Sequence, residues 1–357
     1  MFSPLVVKEH SFLVHEVLAS QLGREFASSA HTSPLSRQGR MSACYFVTTG
    51  RQPWGGDGRA EDGVVVKLRE MADHGAAARG ATNTLSKSAA IARALTGAAL
   101  VPRILAFGIT THPISGETYE FSIEEYIAGK TPIAVGARAR LQLFTSISSQ
   151  LKEIYQVKFS GFGDEVSLTE SRRFHASSWT QWRDELLRRA RFRELGLSGF
   201  LSKSTAELLD HQVRKALTFR TSPTLYHGDL LGNWSNVVVG NDGRVNSLLD
   251  WEFSGAGAAL EQEIASVLYC FHRDQVPLAE REIYFKAILD GFGVGAEEYC
   301  EVLRPRVDAF LSLHAAKAIN RLFPQPGQEK LVGADRAMRL KFAHRARTLL
   351  EHIIARR

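Results

Sequence analysis

Between Leu225 and Glu252 the chain reads LYHGDLLGNWSNVVVGNDGRVNSLLDWE, in which two apolar runs, NVVVG and VNSLLDW, flank Asn241-Asp242-Gly243. Asn and Asp followed by Gly supply the backbone conformations of a tight turn, so the segment predicts a β-hairpin. A carboxylate stands at each end: Asp229 enters the hairpin, Asp250 leaves it, Asn236 opens its first strand, and His227 lies close by. A tight turn brings the ends of a strand pair together, which gathers two acids and an amide at one edge. Hard oxygen donors of this kind suit Mg²⁺, which takes one or two carboxylates and completes its shell with water and substrate phosphates. The pattern points to phosphoryl transfer.

Upstream, Val17 and Leu18 between Val14 and Leu22 predict an opening amphipathic helix, followed by a loop. The runs ACYFVTT from Ala43 and GVVVKLRE from Gly63 predict paired strands joined by a long Gly-, Pro- and Asp-rich tip. NTLSKSAAIARALTG predicts a helix with Asn or Thr as cap and Gly97 as stop, and VPRILAFGIT and YEFSIEEYI predict two more strands. After Gly129 the pattern turns helical in ARARLQLFTSISSQLKEIYQV, SWTQWRDELLRRARFREL and KSTAELLDHQVRKALTF. Phe342, Leu349, Leu350, Ile353 and Ile354 mark the buried stripe of a last helix. The expected architecture is α+β and bilobal: a small antiparallel sheet lobe over residues 1–127 and a larger, mainly helical lobe over 128–357, joined near Tyr126 to Gly129. Clefts at such junctions commonly take ligands.

Composition narrows the partners. A length of 357 residues with 44% hydrophobic content allows two substructures. No apolar run reaches the roughly 18 residues of a membrane helix and the N-terminus lacks a basic leader, so a cytoplasmic protein without a membrane partner is expected. Cys44, Cys270 and Cys300 form no CxxC pair, which argues against a disulfide framework or a zinc site. The net charge of +6 is spread along helix-like segments, chiefly Arg183 to Arg193 and Arg336 to Arg347, as solvated faces rather than a nucleic-acid surface.

His-Gly-Asp at 227–229, the hairpin, and Asp-Trp-Glu at 250–252 together resemble the signature of the aminoglycoside phosphotransferase and choline kinase family. That resemblance implies a protein-kinase-like fold using ATP or GTP with Mg²⁺ to phosphorylate a hydroxyl of a small molecule. By it, Asp229 is the catalytic base, Asp250 a metal ligand, and His227 and Glu263 supports of the catalytic loop. The family's second metal ligand, an Asn, falls five residues after the base, where this chain has Trp234 flanked by Asn233 and Asn236. Asn236 is preferred, because 14 residues separate it from Asp250 and only an inserted LLGNWS loop is then needed; Asn233 is the alternative.

The same resemblance makes Lys67 the phosphate-gripping strand lysine, Gly39 and Ser42 part of a phosphate-covering loop, and Glu125, Tyr126 and Ile127 the hinge that faces the base. Kinase-like folds pair the strand lysine with a glutamate on the following helix; here the matching position is Ser88, which leaves open a substitute acid or a nucleotide-binding pseudokinase. Acceptor contacts are expected from the segment and helices after Asp250, which carry Glu280 and Glu282 and, as the chief candidates, Glu252, Glu261 and Asp274. SGFG at 160–163 followed by SWTQW is similar to hygromycin-type antibiotic kinases, with Trp179 and Trp182 as a sugar floor or as core. An aminoglycoside-like antibiotic is the first acceptor implied; a sugar, amino acid or amino alcohol is the alternative.

Overall fold

The structure is a computed structural model that describes residues 4–35, 42–49, 63–71, 84–97, 100–132, 137–167, 172–230, 234–322 and 333–356. The chain divides into two compact units: Met1–Lys130 with Val238–Asp242 and Asn246–Glu252, and Thr131–Val237 with Gly243–Val245 and Phe253–Arg357.

The first unit runs α1 (Pro4–Leu22), α2 (Arg24–Ser28), β1 (Ala30–Pro34), β2 (Ala43–Thr49), β3 (Gly63–Glu70), α3 (Leu85–Leu95), β4 (Ile104–Thr111) and β5 (Thr118–Glu125). Its five strands form an antiparallel sheet in the order β1-β2-β3-β5-β4. Strand alternation sorts the residues. Val64, Val66 and Leu68 of β3 join Tyr45, Val47, Phe121 and Ile123 in a core closed by Leu13, Val14, Val17 and Leu18 of α1. The alternate residues of β3, Val65, Lys67 and Arg69, fall on the other face. Thr84 caps α3 by accepting the Lys87 N–H, as the sequence suggests. The loop expected after α1 is instead the short helix α2 and then the edge strand β1, whose AHTSP sequence has too little apolar content to show a period.

The second unit begins with α4 (Ala137–Ile154), β6 (Phe162–Val166), β7 (Phe174–Ala176), α5 (Trp179–Ala190), α6 (Phe192–Leu197), α7 (Lys203–Ala216) and β8 (Thr224–Tyr226). The hairpin β9 (Val237–Val239) and β10 (Val245–Leu248) follows as a two-stranded sheet. After it come β11 (Gly255–Gly257), α8 (Ala259–Arg273), α9 (Leu278–Phe292), α10 (Ala296–Glu298), α11 (Arg304–Asn320) and α12 (Gly333–Ala355). A four-stranded sheet, β7-β6-β11-β8, had no counterpart in the sequence reading because its strands are three to five residues long.

That sheet explains SGFG. Gly161, at φ +71°, would place a Cβ 2.4 Å from the Phe174 carbonyl oxygen, so the glycine permits the strands to close. Trp179 and Trp182 are core residues rather than a sugar floor: both are buried, and Trp179 Nε1 donates to the Leu217 carbonyl at 3.2 Å. On α12 the fully buried stripe is Ala343, Ala346, Leu349, Leu350 and Ile353, with Phe342 and Ile354 half-buried beside it. The basic run on α5 is laced by acids, Arg188 and Arg189 both pairing with Glu185 and Arg189 also with Asp164. Among the described residues no helix is long and apolar enough to cross a membrane.

Candidate active site

In the second unit the segment after β8 is tied down from several directions. The fully buried Glu263 of α8 accepts the backbone N–H groups of His227 and Gly228 with one carboxylate oxygen, the latter at 3.2 Å. Ser266, one turn further along α8, donates to the Gly228 carbonyl at 2.8 Å. Gly228 takes φ +79°, a conformation that suits glycine, and a Cβ there would stand 2.9 Å from the Phe253 carbonyl oxygen. His227 is fully buried and accepts the Asp229 N–H at Nδ1, 3.4 Å away. Asn236, in a short 3₁₀ turn before β9, donates Nδ2 to the Asp229 carbonyl at 3.0 Å and to its carboxylate at 3.3 Å. Ser235 Oγ reaches the opposite end of that amide, Oδ1, at 3.3 Å. Asp229 is thus presented on a braced loop, half-buried. Asn233 and Gly39 lie outside the described residues.

Burial lifts the Glu263 carboxyl to about 7 against the opposing pull of the two N–H bonds, and the Asp229 charge adds to the rise. The second oxygen of Glu263 has no hydrogen-bond partner among the described residues. A carboxyl whose pKa is raised by folding favours the native state most below its unfolded value, near 4.5, and that advantage is lost as pH climbs through about 7. Glu263→Gln retains an oxygen for the two N–H groups and removes the titration. Denaturant unfolding at pH 5 and pH 8 is expected to show a parental fall in stability on the order of 3 kcal/mol that the variant lacks. Equal pH slopes for parent and variant would refute this.

The first unit carries a second set. Lys67 Nζ lies 2.9 Å from Glu124 Oε2, and Ser122 Oγ donates to the other Glu124 oxygen at 2.8 Å. Ser122 sits opposite Lys67 in the ladder, so Glu124 is its diagonal neighbour on the same face of the sheet. Burial works against the Lys67 charge, yet Glu124, Cys44 and Asp250 outweigh it and raise its pKa above the ordinary lysine value. The acid missing at Ser88 is therefore Glu124, supplied by β5 rather than by a helix. It was legible: in TYEFSIEE the polar Glu120, Ser122 and Glu124 alternate with Tyr119, Phe121 and Ile123.

Helix α3 serves a different segment. Ser88 Oγ accepts the Trp251 N–H at 3.0 Å, and Lys87 Nζ donates to the Glu252 carbonyl at 2.7 Å. Arg69 Nη2 meets both Glu252 carboxylate oxygens, at 2.5 and 2.6 Å. Between these anchors and β10, Asp250 takes the left-handed conformation at φ 64°. Its carboxylate has no hydrogen bond or ion pair among the described residues. Ser42 is buried. At the hinge, the Glu125 and Tyr126 N–H groups are bonded to the Arg103 and Gly63 carbonyls. The Ile127 N–H has no such partner among the described residues.

A cavity of about 340 Å³ in the second unit is walled by Phe144, Trp234, Phe271 and Tyr284, and Arg140, Asp274 and Glu280 also line it. It adjoins the Asp229 loop: Trp234 stands two residues before Asn236, and Cys270, in the same wall, has its thiol pushed up to about 12 by burial, with the Asp229 charge contributing. Of the three acids expected to meet an acceptor, only Asp274 lines this cavity. Glu252 is instead buried against Arg69, and Glu261 is buried and pairs with Arg306 at 3.3 Å. A cavity of about 300 Å³ by α5 and α7, lined by Arg183, His211 and Lys215 among others, holds none of these residues. No group of three or more His, Cys, Asp or Glu side chains that would by itself hold a metal occurs among the described residues.

The fold has counterparts among solved structures. The fold matches a thermostable mutant of aminoglycoside phosphotransferase APH(4)-Ia in complex with ADP and hygromycin B, at TM-score 0.63 and 15% identity over 96% of this chain and 98% of that one. It also matches APH(2")-IIa in a streptomycin–ATP complex, at TM-score 0.55 and 15% identity over 95% of each chain. A third match is the GDP complex of aminoglycoside 2'-phosphotransferase-IIIa, at TM-score 0.55 and 13% identity over 96% of this chain and 99% of that one. At these identities the likeness establishes the protein-kinase-like fold. No curated protein sequence matches the chain at a significant level. The model of the phosphotransferase enzyme family matches residues 45–300, from within β2 to beyond α9. The chain belongs to the phosphotransferase enzyme family.

Proposed function

We propose that the chain transfers the γ-phosphoryl group of ATP or GTP to a hydroxyl of a small-molecule acceptor, with Asp229 as the base that orients and deprotonates that hydroxyl. The observation that carries this reading is the bracing of the Asp229 loop by Glu263, Ser266, His227 and Asn236. Phosphoryl transfer asks the protein for positioning and charge neutralisation above all, and a base serves only when fixed within hydrogen-bond reach of its proton. Lys67, kept cationic by Glu124, suits the α- and β-phosphates; Ser42 and the backbone of Glu125, Tyr126 and Ile127 are the further nucleotide contacts of the first unit.

Each unit carries an oxygen donor of the kind that suits Mg²⁺. Asp250 offers a carboxylate with no other bond or ion pair among the described residues, and Asn236, its Nδ2 tied to Asp229, offers Oδ1. When bound, the cation supplies neutralisation of phosphate charge. Solved neighbours hold ADP, ATP and GDP, so both purine triphosphates belong in the test.

Neighbours complexed with hygromycin B and streptomycin support an aminoglycoside-like antibiotic as acceptor, and hence a resistance role. A second reading, a metabolic kinase of the same fold acting on a sugar, amino acid or amino alcohol, is favoured by the small number of acids lining the cavity. The test is a phosphorylation screen across these classes, read as mass gain, with Mg²⁺ titrated. Asn236→Ala is expected to raise the Mg²⁺ requirement and lower kcat at least about tenfold. Unchanged Mg²⁺-dependent turnover in Asn236→Ala, with loss in Asn233→Ala, would transfer the ligand role to Asn233. A chain that binds nucleotide and phosphorylates no acceptor is a pseudokinase.

A further inference from the structure

The cavity beside the Asp229 loop is unlike a site for a polycation. Four aromatic rings packed in contact form its apolar wall: Phe144 stands 4.7 Å from Trp234, 5.2 Å from Tyr284 and 5.8 Å from Phe271, centroid to centroid. The charges nearly cancel. Arg273 holds both oxygens of Asp274 at 2.8 Å, and Arg140 adds a positive charge to the lining. Glu280, whose Oε2 accepts the Tyr284 hydroxyl at 3.1 Å, is the one lining carboxylate with no cation partner among the described residues. Every amine taken out of water needs such a partner, so this wall serves one and offers none to the next. At about 340 Å³ the cavity stands near the lower end of small-molecule sites, with room for one or two rings.

We propose that this cavity takes an acceptor alcohol that presents an apolar ring and a single cationic amine, and that Trp234 and Glu280 set the preference. The inference rests on the transferase reading of Asp229 and narrows its acceptor. Trp234 belongs to the stretch that lengthens the loop between Asp229 and Asn236, so the residue that shapes the ring site is carried by the segment that presents the base. The half-buried Trp234 meets Phe144 in an edge arrangement, at 62° between the ring planes, and offers its remaining surface to a ring.

The full chain is tested with four probes: 2-amino-1-phenylethanol, its cyclohexyl analogue, ethanolamine and hygromycin B. Binding is read by calorimetry, and transfer from ATP and Mg²⁺ by mass. Both ring-bearing monoamines are expected to bind at least about tenfold more tightly than ethanolamine and than hygromycin B. Trp234→Ala is expected to weaken the ring-bearing probes about tenfold without moving the nucleotide Kd, Trp234→Phe to restore most of the loss, and Glu280→Gln to weaken every amine probe. Tighter binding of hygromycin B, no binding by any probe, or affinities unmoved by Trp234→Ala overturns the proposal. If the ring-bearing probes bind as expected and none is phosphorylated, the transferase reading fails while the cavity assignment stands. If hygromycin B is phosphorylated with a KM unmoved by Trp234→Ala, the cavity assignment fails and the transferase reading stands.

Discussion

Asp229→Asn is expected to lower kcat by about 10²–10⁴-fold, the range a positioned general base contributes, with the thermal midpoint and nucleotide Kd unchanged. The bonds of the loop allow this separation of activity from stability. Asn236 donates both to the main-chain carbonyl of residue 229, which the substitution leaves alone, and to a side-chain oxygen that asparagine also possesses. Glu263, His227 and Ser266 hold backbone groups of the loop. What disappears is the charge proposed to draw the acceptor proton. The measurement is initial rate at saturating ATP and Mg²⁺ with the best acceptor of the screen, beside a melting curve. Parental turnover in a folded Asp229→Asn chain would remove Asp229 from the chemistry.

Arg69→Met is expected to be the most destabilising single change in the first unit, at about 3–5 kcal/mol, because it strips the partner from a buried carboxylate. Burial, reinforced by the charge of Asp250, already holds Glu252 above the usual carboxylate range, against the lowering effect of Arg69 and Lys67. Without the guanidinium the carboxyl rises further, and a proton relieves part of the penalty. The loss is therefore largest at pH 8 and smaller at pH 5, in urea unfolding at the two pH values. Adding Glu252→Leu removes the orphaned charge and is expected to return most of the stability. A loss independent of pH, with no recovery in the double variant, would show that packing rather than charge is responsible.

The parts legible in the sequence are those whose cause is local. The Asn241-Asp242-Gly243 turn fixes the hairpin, three turns of helical period announce α4, α5 and α7, and Thr84 marks where α3 begins. Strands β6, β8 and β11 pair with partners far away in the chain, β7 adds only to its neighbour β6, and three to five residues give no period to read. The acids divide in the same way. Glu124 was recoverable from the alternation of β5, whereas the capture of Glu252 by Arg69 joins residues 183 positions apart and left no trace in spacing. Glu252 therefore reads as a free acid in sequence and as a buried strut in three dimensions.

The Lys67–Glu124 pair has one more consequence. When a strand lysine takes its acid from a helix, swinging the helix separates the two, and the phosphate grip becomes a regulated quantity. Here both members stand on β3 and β5, adjacent and hydrogen-bonded along their length, and travel together as one rigid panel. A rotation of α3 leaves the lysine's partner in place and pulls instead on Trp251 and Glu252, the residues that follow Asp250. A change at α3 would therefore bear on the residues beside Asp250 rather than on the ion pair of Lys67.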